Sequence, residues 1–248
     1  AASLSMIGQI FMASGDLEAA RSRFEESARI HREIGDDGGL AGSLVELGEV
    51  ERLGGNYDLA LSHTREALRI QMEVASVWDQ ARSLNNMGAI YDAKGEYSES
   101  LIYYQRALEI REEIKDLVQI ADSLHNIAET YTYMGRYDKA VDHSMRALEN
   151  RREAAGEWGA AIEAYSLGRV YGHQGRYGAA LGSIEEALET LRRLEDSGAW
   201  YVEILAGYGN VLSLLGRFDE AAAALDEALG LARDQGDAGL ITLILDFQ

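Results

Sequence analysis

The stretch Leu84–Leu108, LNNMGAIYDAKGEYSESLIYYQRAL, decides the fold of this chain. Apolar residues recur at helical spacing on both sides of Gly95, which predicts two amphipathic helices joined by a turn. The same layout returns along nearly the whole sequence. Its turn glycines are separated by 40, 40, 40, 40 and 41 residues: Gly15, Gly55, Gly95, Gly135, Gly175 and Gly216. A fixed period of this size is typical of a helical repeat array.

The period predicts an all-α solenoid of six helix pairs and a truncated seventh helix. The pairs are expected at about residues 1–40, 41–80, 81–120, 121–160, 161–201 and 202–240, and residues 241–248 begin a seventh or capping helix. We therefore predict that residues 1–248 form a single array. Because the chain starts at Ala1, without Met and inside a predicted helix, we expect it to be a segment of a larger protein.

Columns of small residues explain how these helices would pack. Leu84, Met87, Gly88 and Tyr91 lie on one helical stripe and are predicted to face inward together. Glycine inside a helix costs about 1 kcal/mol relative to alanine, so its return in one column predicts close helix–helix approach there: Gly8, Gly48, Gly88, Gly168 and Gly209. Ala128 takes this place in the fourth repeat. The turn glycines are predicted to end helices with φ > 0.

This pattern resembles the tetratricopeptide repeat family over essentially the whole chain. The residues that carry the likeness are Leu84, Met87-Gly88, Tyr91, Gly95, Tyr97, Tyr104 and Ala107-Leu108. The chain departs from the family in two ways. It lacks proline, and its period is 40 residues where the family's is commonly about 34. Longer-period arrays of this kind are similar to those of kinesin light chains, G-protein-regulating adaptors and bacterial signalling proteins. The resemblance implies a right-handed α-α superhelix whose concave groove binds an extended or helical peptide.

Carried over by column, the resemblance places one face of each first helix in that groove. The predicted groove residues are Arg82, Asn85, Asn86, Asp92, Asp122, His125, Asn126, Glu129, Tyr133, Tyr165, Arg169 and His173. Asn85-Asn86 and His125-Asn126 have two interpretations. Either these polar groups bind the main chain of a partner, or Asn86 and Asn126 tie neighbouring repeats together. The family's basic clamp for a C-terminal carboxylate is not expected, because Ser5, Val45 and Glu46 stand where basic or amide groups would be needed.

Composition narrows the classes of function. The formal net charge of −19 disfavours nucleic acid as a partner, since contacts to phosphates need a basic surface. No apolar run approaches the roughly 20 residues that cross a bilayer, so no membrane partner is predicted. The chain has no cysteine, which is compatible with the cytoplasm, where we place the protein.

No catalytic pattern stands out either. The sequence contains neither a GxxxxGK[ST] phosphate loop nor a GxSxG elbow, and its five histidines form no HxxxH pair. We predict no catalytic residue, no cofactor, no metal site and no enzyme activity. The expected function is protein–protein interaction, by a scaffold or sensor segment that binds a protein or peptide.

Two further features leave alternatives open. Trp78, Trp158 and Trp200 occur just before new repeats, where they either staple each first helix to the preceding pair or form a partner-binding row. The apolar C-terminal helix 240–247, in LITLILDFQ, has no following helix to cover it. It motivates the alternative function of self-association into a homo-oligomer.

Overall fold

The computed structural model of the protein describes residues 2–154 and 156–247. Over these residues the chain is helical and contains no strand. The helices are α1 (Ala2–Ala13), α2 (Leu17–Ile34), α3 (Asp37–Leu53), α4 (Tyr57–Glu73), α5 (Val77–Ala93), α6 (Tyr97–Ile114), α7 (Leu117–Tyr133), α8 (Tyr137–Glu153), α9 (Glu157–His173), α10 (Tyr177–Arg193), α11 (Ala199–Leu214), α12 (Phe218–Gln235) and α13 (Ala238–Phe247). The predicted all-α fold, with consecutive helix pairs and a short last helix, is confirmed.

The turns inside the pairs follow the predicted rule. All six turn glycines have φ between 68° and 81°, in the left-handed region that a side chain disfavours. Within the described residues, five turns between pairs use the same backbone conformation with less regular sequence. Gly35 and Gly236 end α2 and α12 there, whereas Ala75, Lys115 and Glu195 hold φ values of 54°, 59° and 55° in spite of their side chains. These three positions are therefore locally strained.

The chain forms two compact units, with Thr130 the last residue of the first and Tyr131 the first residue of the second. In the first unit, α1 packs with α2, α3 with α4 and α5 with α6, and α2 and α4 also contact the helix that follows each of them. In the second unit, α9 packs with α10 and α11 with α12, while α8 contacts α9. Each helix therefore packs mainly against its neighbours in sequence, as expected of a repeat array.

The small-residue column lies where the two helices of a pair approach each other. A Cβ atom added to Gly88 would stand 2.6 Å from Tyr104 Cδ1, and one added to Gly168 would stand 2.8 Å from Ile184 Cγ1. The inward stripe is also confirmed, since Leu84, Met87 and Tyr91 are buried. Close approach of the helices thus explains why glycine returns in this column despite its cost inside a helix.

The last helix is partly covered by its own unit. α13 packs against α11 and α12, and it buries Leu240 and Ile244 in the apolar core of the second unit. Leu245 remains 50% exposed. The apolar surface predicted for residues 240–247 is therefore smaller than the sequence suggested, because preceding helices cover one side of the helix.

Candidate functional site

A concave pocket of about 360 Å³ lies among the first helices of the first unit. Its walls come from α3, α5 and α7, and one residue of α6 forms part of it. The lining residues are Val45, Glu46, Glu49, Arg52, Arg82, Asn85, Asn86, Ala89, Tyr104 and Asn126. Arg82, Asn85, Asn86 and Ala89 share the face of α5 opposite its buried stripe, as their spacing predicts. We call this cavity the first-unit pocket.

Two of its three asparagines are used inside the protein. Asn126 Nδ2 donates a hydrogen bond to Asn85 Oδ1 at 3.1 Å, which joins α7 to α5. The same oxygen accepts from Arg111 Nη1 at 3.3 Å. Asn126 therefore connects neighbouring helix pairs, as one of the two interpretations expected, but its partner is Asn85 and not Asn86.

Arg111 is a functional neighbour that the sequence analysis missed. It is 4% exposed, and its Nη1 also donates to Ser123 Oγ at 2.5 Å and to the Gln119 carbonyl at 3.1 Å. Burial lowers its pKa, and the charges of Asp122 and Asp116 oppose that change. A signal was present, because Arg111 follows the buried Ala107 by one helical turn and so had to lie on the inward face.

Asn86 differs from its two neighbours. Within the described part of the chain its carboxamide makes no hydrogen bond to another protein group, and the side chain is partly exposed in the pocket. Its oxygen and its two N–H donors are therefore available to a molecule that enters. The structure thus separates Asn86 from Asn85 and Asn126, which the sequence treats alike.

The pocket contains both signs of charge. Arg52 forms a two-pronged ion pair with Glu49, at 2.8 Å from Nε and 2.6 Å from Nη2, and this contact raises the pKa of Arg52. Arg82 Nη2 lies 3.5 Å from Asp79 Oδ1, a much looser contact. Arg82 is therefore the cation of the pocket with more freedom to meet a ligand, while Arg52 is held by its own helix.

Asp92 lies on the same face of α5 but is mainly engaged with the protein. Its Oδ1 accepts from Thr130 Oγ1 at 3.2 Å. Burial raises the pKa of Asp92, and the charge of Glu129 acts in the same direction. Burial, with the nearby charge of Asp92, likewise raises the pKa of the Tyr104 hydroxyl. Tyr104 lines the first-unit pocket but Asp92 does not, so this predicted groove residue lies outside the cavity.

The other predicted groove residues of the first unit lie outside the pocket lining. His125 Nε2 is 3.7 Å from Glu129 Oε2, one helical turn along α7. Asp122 is partly buried on the same helix, where its charge acts on Arg111. These three side chains continue the polar face of α7 away from the cavity.

The predicted groove residues of the second unit occupy varied environments. Tyr165 is 6% exposed, and burial raises its pKa to about 12, so it belongs to the core. Arg169 is exposed, and Tyr133 is 62% exposed at the end of α7. The His173 ring stacks on Tyr137 with centroids 6.3 Å apart. The structure does not place these four residues in one described cavity.

Among the described residues, no group of three or more His, Asp or Glu side chains is arranged to hold a metal ion. Of the helices in that part of the chain, none combines the length and the hydropathy that a bilayer crossing requires.

Comparison with known proteins places this architecture in a family. The family model described as tetratricopeptide repeat matches residues 1–73, 79–153 and 160–234, most of the chain. The chain belongs to the tetratricopeptide repeat family. A search of the curated proteins found no match.

Solved structures share the fold at low sequence identity. BtubC (BKLC) from P. vanneervenii matches with a TM-score of 0.80 and 22% identity, over 89% of this chain and 92% of that chain. The apo form of RapI matches with a TM-score of 0.71 and 18% identity, over 98% of this chain and 93% of that chain. A Rap protein complexed with competence and sporulation factor matches with a TM-score of 0.65 and 20% identity, over 85% of this chain and 63% of that chain. At these identities the likeness concerns the fold.

Proposed function

We propose that this protein is an interaction module that binds a peptide segment of a partner protein in the first-unit pocket. The observation that carries the proposal is the carboxamide of Asn86, which bonds to no described residue and lies in a concave cavity of about 360 Å³. Membership of a repeat family and the fold shared with a Rap protein complexed with a factor support the general class.

The chemistry of the pocket suits a peptide main chain. A carboxamide offers two donors and one acceptor, and a main-chain amide offers the complementary groups. Contacts of this kind hold the backbone of a ligand without selecting its sequence. Selection would come from Arg82 on one side and from Glu46 on the other, since Glu49 is paired with Arg52. We therefore infer a ligand segment that carries both polar signs.

The test isolates Asn86 from the residues that hold the fold. The immobilised protein is panned against a random-sequence peptide library, and an enriched peptide is labelled for fluorescence anisotropy. Asn86→Ala should weaken binding of that peptide about tenfold, because it removes one or two hydrogen bonds worth about 0.5–1.5 kcal/mol each. Thermal unfolding should change little, since Asn86 bonds to no other described group.

The matched control is Asn150→Ala in α8. Among the described residues, Asn150 Nδ2 bonds to the Arg146 carbonyl of its own helix at 2.8 Å, so peptide affinity should stay unchanged. Equal affinities of the Asn86→Ala variant and the wild type would refute the pocket. Failure of any peptide to enrich on the wild-type protein would refute peptide binding altogether.

Self-association is the second candidate, and Leu245 supports it. This residue is half exposed on α13, a helix whose opposite side is buried against α11 and α12. If α13 joins two copies, light scattering will show a mass that rises with concentration, and Leu245→Glu will abolish the rise. A constant monomer mass across the accessible concentrations would remove this candidate.

We also propose that residues 1–248 belong to one array, because the period continues through α7, which begins in one unit and ends in the other. The module would act without catalysis of its own, in the cytoplasm, as part of a larger regulatory protein. Fractionation of cells that express the tagged parent protein tests the location.

A further inference from the structure

The three tryptophans of this chain have different surroundings. Trp158 and Trp200 pack edge to face with centroids 6.4 Å apart, and Trp158 Nε1 donates to Asp196 Oδ2 at 2.6 Å. Trp78, on α5, makes no hydrogen bond or ring contact with the described residues, and it is the most exposed of the three at 52%. The staple role suggested by the sequence suits Trp158 and Trp200, whereas Trp78 leaves about half of its surface open to solvent.

Trp78 belongs to a row of exposed apolar side chains in the first unit. Each turn between consecutive helix pairs contributes to the row, which consists of Ile34, Val74, Val77, Trp78, Ile114 and Val118. Trp78 and Ile114 line one notch together, although they come from successive turns. Large apolar residues clustered on a surface are typical of interaction sites. We call this row the apolar ridge.

The spacing of the ridge favours a helical ligand. The first helices α3 and α5 contact each other, and the axes of packed helices are about 8–10 Å apart. Two turns of an α-helix advance about 11 Å, a similar distance. An amphipathic helix therefore presents apolar residues at intervals that match successive turns of the ridge.

The charges beside the ridge favour a basic ligand. Exposed acidic residues within three positions of the ridge are Glu33, Asp36, Asp37, Glu73, Glu112 and Glu113. The exposed cations within the same three positions are Arg32 and Lys115. Arg32 Nη2 lies 3.4 Å from Glu66 Oε1, while Glu33 and Glu73 pair with Arg29 and Arg69 of their own helices at 2.7 and 2.6 Å. Because acidic residues predominate, a basic partner would be attracted and an acidic one repelled.

We propose that the apolar ridge is a second docking surface, which binds an amphipathic helix with a basic polar face. It lies on the turns between helix pairs and is separate from the first-unit pocket. Trp78 and Ile114 are its central anchors. Buried tryptophan contributes strongly to binding in many interfaces.

The test uses a helical Leu–Lys model peptide with one apolar face and a Leu–Glu peptide of the same pattern. The labelled Lys peptide should bind the wild-type protein in fluorescence anisotropy, and the Glu peptide should not. Ile114→Glu should weaken the Lys peptide at least about tenfold, as loss of an interface anchor does. Charge attraction alone predicts the opposite result, because the substitution adds a negative charge.

The matched control is Ile102→Glu on the same helix. Ile102 and Ile114 are 49% and 42% exposed, so the two substitutions change similar surfaces at opposite ends of α6. Ile102→Glu and Asn86→Ala should leave the Lys peptide bound. Trp78→Ala should reproduce the loss without adding charge, and circular dichroism will verify that each variant keeps its helicity.

Any of four outcomes overturns the proposal. The Lys peptide does not bind, or both Ile→Glu variants bind it equally, or Asn86→Ala releases it, which places the peptide in the pocket. A mass that rises with concentration and returns to monomer in Ile114→Glu would identify the occupant as a second copy of the chain, and that result also overturns the proposed partner. If Ile114→Glu loses the Lys peptide but still binds a peptide selected for the first-unit pocket, the apolar ridge acts separately from the pocket of the proposed function.

Discussion

Gly168 on α9 and Gly182 on α10 belong to one helix pair and should respond oppositely to the same substitution. A Cβ at Gly168 would stand 2.8 Å from Ile184 Cγ1 and 3.2 Å from the Ala180 carbonyl oxygen. Carbon atoms in good contact are about 3.5–4.0 Å apart, so α9 and α10 would have to separate. A Cβ at Gly182 meets nothing within 4 Å.

The magnitudes follow from two opposing effects. Alanine improves helix propensity by about 1 kcal/mol at either position. Overpacking of a buried contact costs about 1–3 kcal/mol, and Ile184 is 1% exposed, which leaves it little room to move. We expect Gly168→Ala to destabilise the protein by up to about 2 kcal/mol and Gly182→Ala to stabilise it by up to about 1 kcal/mol.

Urea unfolding followed by circular dichroism measures both variants. Hydrogen exchange of α9 and α10 should accompany it, because repeats can open locally. A further variant combines Gly168→Ala with Ile184→Ser, since the fourth repeat carries Ala128 and Ser144 in these two columns. Its cost should be smaller than the sum of the two single costs, by about 1 kcal/mol. Equal shifts for Gly168→Ala and Gly182→Ala would refute the close-approach explanation.

Two other substitutions test local strain and a buried charge. Ala75→Gly should raise the free energy of unfolding by about 1 kcal/mol, because Ala75 holds φ at 54° where glycine is unstrained. Urea unfolding measures this change. An unchanged free energy of unfolding would contradict the strain at Ala75. Burial raises the pKa of Asp92, so the folded state binds its proton more tightly and stability falls as pH rises from the ordinary value of 3.8 through the folded pKa. Asp92→Asn should therefore stabilise the protein at neutral pH and lose this advantage below that value, whereas an advantage independent of pH would contradict the assignment.

The sequence by itself determined the repeat and the inward face of each helix. Glycines 40 residues apart require turns with φ > 0, and the stripe of Leu84, Met87 and Tyr91 repeats at helical spacing. Both signals are local, because they depend on the backbone conformation of one turn or on the geometry of one helix. The resemblance to the tetratricopeptide repeat family rests on these same recurring positions.

Only the tertiary structure decided how similar polar and aromatic residues divide their roles. Asn85 and Asn86 are adjacent in sequence, yet Asn85 meets Asn126 and Arg111 from other helices while Asn86 meets the open pocket. Trp78 and Trp158 occupy similar places in their repeats, but of these two only Trp158 meets Trp200 and Asp196 among the described residues. Partners that lie tens of residues away determine these differences. The spacing of residues along one helix does not show which side chains of the neighbouring helix pairs will contact them.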